Sequence, residues 1–458
     1  MSGLFLGVDL GTSGLKAAAL RADGEVVAQA EAGYALARST PGQAQIAAQD
    51  WEAALQTALL RLGDMRFDSV GIAGQMHGLV LVDDKGLPCR PAVLWPDRRA
   101  QSELTSWHEL STAQRLRLAN PILAGMAGPL LKWVQRHEPD TYQRARLALQ
   151  PKDYLRSRLG GALVSERSDA SATLLWDVPA DTWAWDVVED LGLDAQLLPE
   201  IVAPHWVVGE ARLPGAPALV AGAGDTPAAL LGAGGLGPGE VQINLGTGAQ
   251  ILIGIEAPEP LPDPAWHLYA DAQDGWYGMV GLQNAGLALN KAREWLSVGW
   301  PDFFSLAASA PAGAGGVSVL PFLTGERGGV AAPDSRGAWL GLSEMTTPSY
   351  LARAAIEGML FAVRRGVELL AGKPDRVRVS GGGVREEFVA QMLADVLGSQ
   401  VQVIPERSAS AVGAAMLAAT GVGATLPTPE IAALSFVPQA SMQGAYDLWL
   451  SRLEAARL

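Results

Sequence analysis

The sequence predicts an α/β protein of two similar domains that face each other. A strand–turn–strand pattern occurs twice, as GVDLGTSGLKAAAL near the N-terminus and VQINLGTGAQILIG in the second half, so that Gly11-Thr12 matches Gly246-Thr247. Strand-like and helix-like periodicities alternate along the chain. The 458 residues, 49% hydrophobic and 18% charged, are enough for several cores; length alone suggests roughly two to four domains. The domain boundary is expected near ALVAGAGD, around Leu219, giving domains 1–219 and 220–458.

The elements follow in order. LFLGVDL reads as a strand, and LKAAALRADGEVVAQAEAGY as two more joined by the ADGE turn. AAQDWEAALQTALLRL has helical spacing, with Asp50 as N-cap candidate. FDSVGIAG reads as a short buried strand and GLVLVDDKGLPCRPAVLW as a second hairpin. Helices are expected from Arg98 to about Leu159. VRVSGGGVREEFVAQMLADVLG reads as strand, glycine turn at Gly381-Gly382-Gly383, and amphipathic helix. The Trp183/Trp185 pair reads as core or lid packing. The C-terminal GAYDLWLSRLEAARL reads as an amphipathic helix packed on the surface, with a homodimer interface as the alternative.

With 34 basic and 48 acidic residues, the net charge of −14 disfavours nucleic acid or an anionic membrane as the main partner. It leaves room for a phosphorylated ligand at a locally positive site. The single cysteine, Cys89, can form neither an intramolecular disulfide nor a cysteine metal cluster, and nothing nearby activates it. With a start that lacks a basic leader pattern, this points to the cytoplasm. No apolar run reaches the about 18 residues a spanning helix needs.

The motifs each carry two readings. The Asp9 hairpin is either an ordinary acidic turn or a phosphate cradle, in which glycine lets backbone N–H groups converge, Thr12 and Ser13 add donors, and Asp9 binds Mg²⁺ through water. The second copy and the turn at Gly381 favour the cradle. There is no G-x-x-x-x-G-K-[ST] run, and GAGGLG at 232–237 has a helix before it and a strand after it, the reverse of a dinucleotide fingerprint. In AGAGDTPAALL, Asp225 reads either as a helix cap before Pro227 or as a general base toward a hydroxyl. His77, one of five histidines, is either structural or a ligand contact beside Gly78. Trp95, Asp97 and Arg98 read locally as a packed indole with a surface ion pair. Glu326 and Arg327 read as an ion pair fixing a loop, with a direct catalytic role as the alternative.

Taken together, GVDLGTSGLK, GIAGQMHG, AVLWPDRRA, LQPKDYLRSRLGG, SERSDASATLLWDV, FLTGERGG and SGGGVREEF resemble the FGGY carbohydrate kinases over nearly the whole chain. Within that family, Met76-His77-Gly78 and PKDYL are most similar to xylulokinases. The resemblance implies two ribonuclease-H-like domains of the actin and hexokinase type, with ATP and a sugar in the cleft between them. It implies Asp225 as catalytic base and Asp9 near Mg²⁺. It implies Gly11, Thr12, Ser13, Gly246 and Thr247 as phosphate loops, and Gly381, Gly382 and Gly383 as the adenosine pocket. Met76, His77, Trp95, Asp97, Asp225 and Thr226 fall at the sugar. The implied reaction is ATP-dependent phosphorylation of D-xylulose to D-xylulose 5-phosphate. Alternatives are a kinase for another ketose or polyol, such as ribulose or glycerol, and an idle nucleotide-binding switch. The chain departs from the xylulokinase pattern at Pro96 and Thr226, where asparagine is usual, and at Gly328-Gly329, where Thr-Pro is usual.

Overall fold

The computed structural model describes residues 3–35, 41–261, 264–326, 328–404, 408–427 and 433–456. One sheet is built from β1 (Leu4–Leu10), β2 (Gly14–Arg21), β3 (Val26–Gly33), β4 (Ser69–Gly74), β5 (Val207–Glu210), β6 (Ala218–Val220) and the short β7 (Ala223–Gly224). Its order is β5-β6-β4-β1-β2-β3, with β7 also paired to β4. The second sheet contains β8 (Val241–Leu245), β9 (Ala249–Ile255), β10 (His267–Ala270), β11 (Trp276–Leu282), β12 (Arg376–Ser380), β13 (Gln400–Val403) and β14 (Leu434–Phe436), in the order β10-β11-β9-β8-β12-β13-β14.

The two sheets share a plan. β1 lies antiparallel to β2 and parallel to β4, and β8 lies antiparallel to β9 and parallel to β12. β1 and β4 are apolar because both faces are covered by helices, and every residue of β4 is buried. The helices that matter for the cleft are α1 (Ala48–Leu62), α2 (Pro151–Arg158), α3 (Asp225–Gly232), α4 (Gly286–Trp295), α5 (Pro348–Ala371), α6 (Glu387–Leu397), α7 (Ala409–Gly421) and α8 (Gln443–Ala455).

Helix α7 lies far along the chain, yet it packs on the first sheet. Phe5, Ala18 and Leu20 form one cluster with Ala411, Val412, Ala415 and Ala419. Glycine makes this approach feasible: a Cβ on Gly7 would stand 1.7 Å from the Ala411 carbonyl oxygen, and one on Gly71 2.1 Å from that of Ala414. The crossing of α7 with α3 is as close, since a Cβ on Gly413 would meet the Ala228 carbonyl oxygen at 1.8 Å. The lobes also meet at the edge of the second sheet. There Asn120 accepts from the Leu268 N–H at 3.0 Å and donates to its carbonyl at 2.9 Å.

Several expectations are corrected. Asp50 is not the cap of α1: the cap position is Ala47, and Asp50 lies in the first turn, where its charge still suits the helix dipole. The segment 79–94 does fold back on itself, with bridges Leu79↔Val93 and Val82↔Pro88. Its ladders, however, are made with distant strands: Val80–Val82 pairs with Leu147–Leu149, and Ala92–Val93 with Gln45–Ile46. Trp183 is buried edge-on against Trp176, whereas Trp185 is exposed, so only one of that pair is core. Helix α8 is more than a surface element, because Tyr446 and Trp449 are fully buried and the Trp449 indole donates to the Val319 carbonyl at 2.8 Å.

Gly413→Ala places a methyl against backbone that cannot move alone. Overpacking of this kind costs about 1–3 kcal/mol or more, and denaturant unfolding of the variant is expected to show a loss of at least that size.

Candidate active site

The first hairpin turns between β1 and β2, where the Gly11 N–H donates to the Gly14 carbonyl at 3.0 Å. The Gly11 carbonyl accepts from the Tyr34 hydroxyl and, at 3.1 Å, from Gln75 Nε2. Thr12 Oγ1 accepts from the Trp95 indole at 3.0 Å, and Ser13 is exposed. The hydroxyl of Thr12, with one of its two lone pairs taken by Trp95, keeps its O–H to donate. The second hairpin mirrors this turn. The Gly246 N–H donates to Gly248 at 2.9 Å, and the first amides of α4, on Gly286 and Leu287, donate to the Gly246 and Thr247 carbonyls at 3.0 and 2.9 Å.

The third glycine turn closes on the second hairpin. Gly381 has φ +104°, and a Cβ there would lie 2.4 Å from the Leu245 carbonyl oxygen; Gly383 presses on the Leu245 side chain, while a Cβ on Gly382 would meet nothing within 4 Å. Gly381–Gly383 and Gly246-Thr247 are therefore one surface, with open space over Gly382.

Asp9, near the end of β1, and Asp225, the first residue of α3, supply the acidic centre. Burial, then the nearby Asp225 charge, push the Asp9 carboxyl up to about 7, against the pull of Lys16 and a hydrogen bond from Ser410. Among the described residues its Oδ1 is buried without a hydrogen-bond partner. Burial pushes Asp225 up to about 6, although its Oδ1 accepts from the Thr226 N–H at 2.7 Å and the Thr226 hydroxyl at 3.3 Å. The cap reading of Asp225 fails in its strict form, since the cap position is Gly224 and Asp225 lies one residue inside the helix.

In the second copy Asn244 stands at the equivalent of Asp9. Its Oδ1 accepts from Gln242 Nε2 at 3.1 Å and from Ser380 Oγ at 2.8 Å, so it is consumed in neutral bonds. The acidic chemistry thus belongs to one lobe's hairpin.

The residues that the family resemblance sets at the sugar lie against both lobes. Met76 is buried with the Tyr277 hydroxyl 3.6 Å from its sulfur, and its side chain fills the space where Gly224 lacks a Cβ. His77 has φ +69°, a costly conformation for a non-glycine residue, and its Nδ1 lies 2.8 Å from the Ala172 carbonyl. That contact assigns the Nδ1–H tautomer. The ring packs on Tyr269 at 5.6 Å. Asp97 is buried: it accepts the Ala44 N–H at 2.7 Å and pairs with the Arg99 guanidinium at 2.8 Å. Its ion pair is with Arg99 rather than Arg98, and it is buried rather than at the surface. Glu326 is buried and accepts from the Gln283 N–H at 2.7 Å and Asn284 Nδ2 at 3.1 Å; Arg327 lies outside the described residues.

Sequence reading missed Tyr269, Tyr277 and Asn120. They bring strands of the second sheet against Met76 and His77, and this pairing runs across 148 residues of sequence for Asn120 and Leu268. No local periodicity announces a contact of that kind.

An ion bound here would find two acidic side chains, one of them with an unsatisfied oxygen. No group of three or more His, Cys, Asp or Glu side chains forms a metal cage among the described residues. Such a sparse donor set fits Mg²⁺, which keeps several waters and takes most other ligands from a nucleotide's phosphates.

The fold is that of a two-lobed kinase, with the same sheet plan used twice and a glycine hairpin from each lobe at the cleft. The chain belongs to the FGGY family of carbohydrate kinases: the N-terminal domain model of that family matches residues 4–232 and the C-terminal domain model residues 241–422. It is 33% identical to xylulose kinase of Escherichia coli K12, covering 97% of this chain and 94% of that protein. It is 34% identical to xylulose kinase of Klebsiella pneumoniae, covering 91% and 89%. The crystal structure of xylulose kinase from Rhodospirillum rubrum superposes with a TM-score of 0.90 at 27% identity, covering 99% of this chain and 98% of that one. No helix among the described residues is long and apolar enough to cross a membrane.

Asp9 and Asp225 hold their protons more tightly in the folded protein than in the unfolded chain. Their contribution to stability is therefore greatest below about pH 4, and it is lost as pH rises through about 6 and 7. Asp9→Asn removes one of these terms. In metal-free protein without nucleotide, the variant is expected to show a smaller fall in melting temperature between about pH 5 and about pH 8 than the parent.

Proposed function

We propose that this chain transfers the γ-phosphoryl group of ATP to D-xylulose, giving D-xylulose 5-phosphate and ADP. The observation that carries the reading is Asp225: a carboxylate pushed up to about 6 at the head of α3, near Asp9 and one residue after Gly224, against which Met76 packs. The names of the curated relatives support the choice of sugar.

In this reading Gly11, Thr12 and Ser13 cradle one part of the triphosphate, Gly246 and Thr247 another, and Gly381, Gly382 and Gly383 admit the adenosine. Asp9 would hold Mg²⁺, which when bound would supply neutralisation of the charge on the transferring phosphoryl group. Asp225 accepts the proton of the attacking sugar hydroxyl as the oxygen–phosphorus bond forms and ADP departs. Thr226 holds one oxygen of Asp225, leaving the other to face the hydroxyl. Met76, His77 and Trp95 shape the sugar site, and the two strands carrying Tyr269 and Tyr277 close it against water. Asp97 acts through Arg99 and Ala44 to fix the segment behind Trp95.

Thr226 and Pro96 favour a second reading, a kinase for another ketose or polyol, because both depart from the xylulokinase pattern near the sugar pocket that the resemblance implies. A coupled ADP-release assay over pentuloses and polyols separates the two. D-xylulose is expected to give the highest kcat/KM, and a clear preference for ribulose or glycerol overturns the choice of sugar. The acid limb of kcat/KM is expected near pH 6, where Asp225 loses its proton. Asp225→Asn is expected to remove turnover while nucleotide binding persists.

A further inference from the structure

Beneath the sugar segments lies a fully buried group of charges that no step above uses. Lys152 Nζ lies 2.6 Å from Asp153, 3.2 Å from Glu166 and 3.1 Å from Asp169, and Arg156 lies 2.7 Å from Asp153. All five side chains have zero exposure. Such a cluster is expensive to bury, and replacing buried ion pairs by apolar residues is often neutral or stabilising. Stability alone is therefore a weak reason for its presence.

Its geometry leads to the catalytic loop. Glu166 accepts the Ser168 N–H at 2.7 Å, the Ser168 hydroxyl at 2.9 Å and the Asp169 N–H at 3.1 Å. With its proton given to Glu166, Ser168 Oγ turns a lone pair outward, and the Gly224 N–H donates to it at 2.9 Å. Gly224 is the residue before Asp225. Its strand, β7, is paired to β4 on another side, at Ala73 and Gly74, and a Cβ on Gly74 would meet the Lys152 Cβ at 2.9 Å. The cluster thus touches both supports of the peptide that leads into Asp225.

We infer that Ser168, held by Glu166 and Lys152, is a positioning residue that fixes the Ala223–Gly224 peptide and thereby aims the Asp225 carboxylate at the sugar hydroxyl. The hydroxyl is required because only a group that donates and accepts at once links Glu166 to the Gly224 amide. A displacement of about 1 Å at a reacting group can cost 10²-fold in rate. Ser168 bonds β7 rather than either phosphate hairpin, although β4 between them pairs with Asp9 and Leu10, so the KM for ATP reports whether a change at Ser168 stays local.

This inference rests on the reading of Asp225 as base, and the test separates the two. Ser168→Ala, Ser168→Cys and Ser168→Thr are measured beside Asp225→Asn in steady-state phosphorylation of the best sugar from the substrate panel. Ser168→Ala is expected to lower kcat by roughly 10–100-fold with the KM for ATP unchanged. Ser168→Cys, a poor acceptor of near-native volume, carries the same expectation if the alanine variant fails to fold. Ser168→Thr keeps the hydroxyl and is expected to restore most of kcat. Native kcat in the alanine or cysteine variant overturns the inference, as does a loss in all three with the KM for ATP raised in parallel. Normal turnover in Asp225→Asn instead overturns the reading of the base.

Discussion

Two carboxylates, Asp9 and Asp225, are held at the cleft, where burial first and then the charge of Asp225 raise the pKa of Asp9, and close packing keeps them there. Like charges in a partly buried site repel, and burial weakens the hydration of each. Neither would stay without backbone that holds it: Asp9 is fixed by a strand paired on both sides, and Asp225 by the first turn of α3. The Oδ1 of Asp9, buried without a hydrogen-bond partner among the described residues, is the oxygen a cation would meet.

Holding these groups in register requires close packing of backbone on backbone. Helix α7 lies directly on β1 and β4 and crosses α3, and at each contact a glycine stands where a methyl group would strike a carbonyl oxygen. The start of α7 also brings Ser410 to Asp9. One helix from late in the chain therefore supports the strand that carries Asp9 and the helix that begins with Asp225. The strands of the second sheet that carry Tyr269 and Tyr277 reach back to Met76 and His77, so both lobes contribute to this region.

Much of this was legible in the sequence. The repeat of Leu-Gly-Thr hairpins is local, and both copies form the expected antiparallel pairs with the turn where the glycines stand. The asymmetry between Asp9 and Asn244 was also readable, and the neutral bonds around Asn244 give it a physical basis. The family resemblance, carried by long stretches, predicted the two-domain fold. What was not legible depends on contacts between distant segments. The strand partners of Val80–Val82 and Ala92–Val93, the burial of Asp97 with Arg99, and the link from Ser168 to Gly224 are set by tertiary packing, on which spacing along the chain is silent.

Burial and the charge of Asp225 push Asp9 up to about 7, so near neutral pH it keeps part of a proton that a bound cation would displace. Calorimetric titration of the protein with Mg²⁺ and a non-hydrolysable ATP analogue, near pH 7 in buffers of different ionisation enthalpy, counts the protons exchanged on binding. Net proton release is expected, because a cation beside Asp9 stabilises its charged form, with a smaller release in Asp9→Asn. Proton exchange that is absent, or equal in the parent and Asp9→Asn, would contradict it.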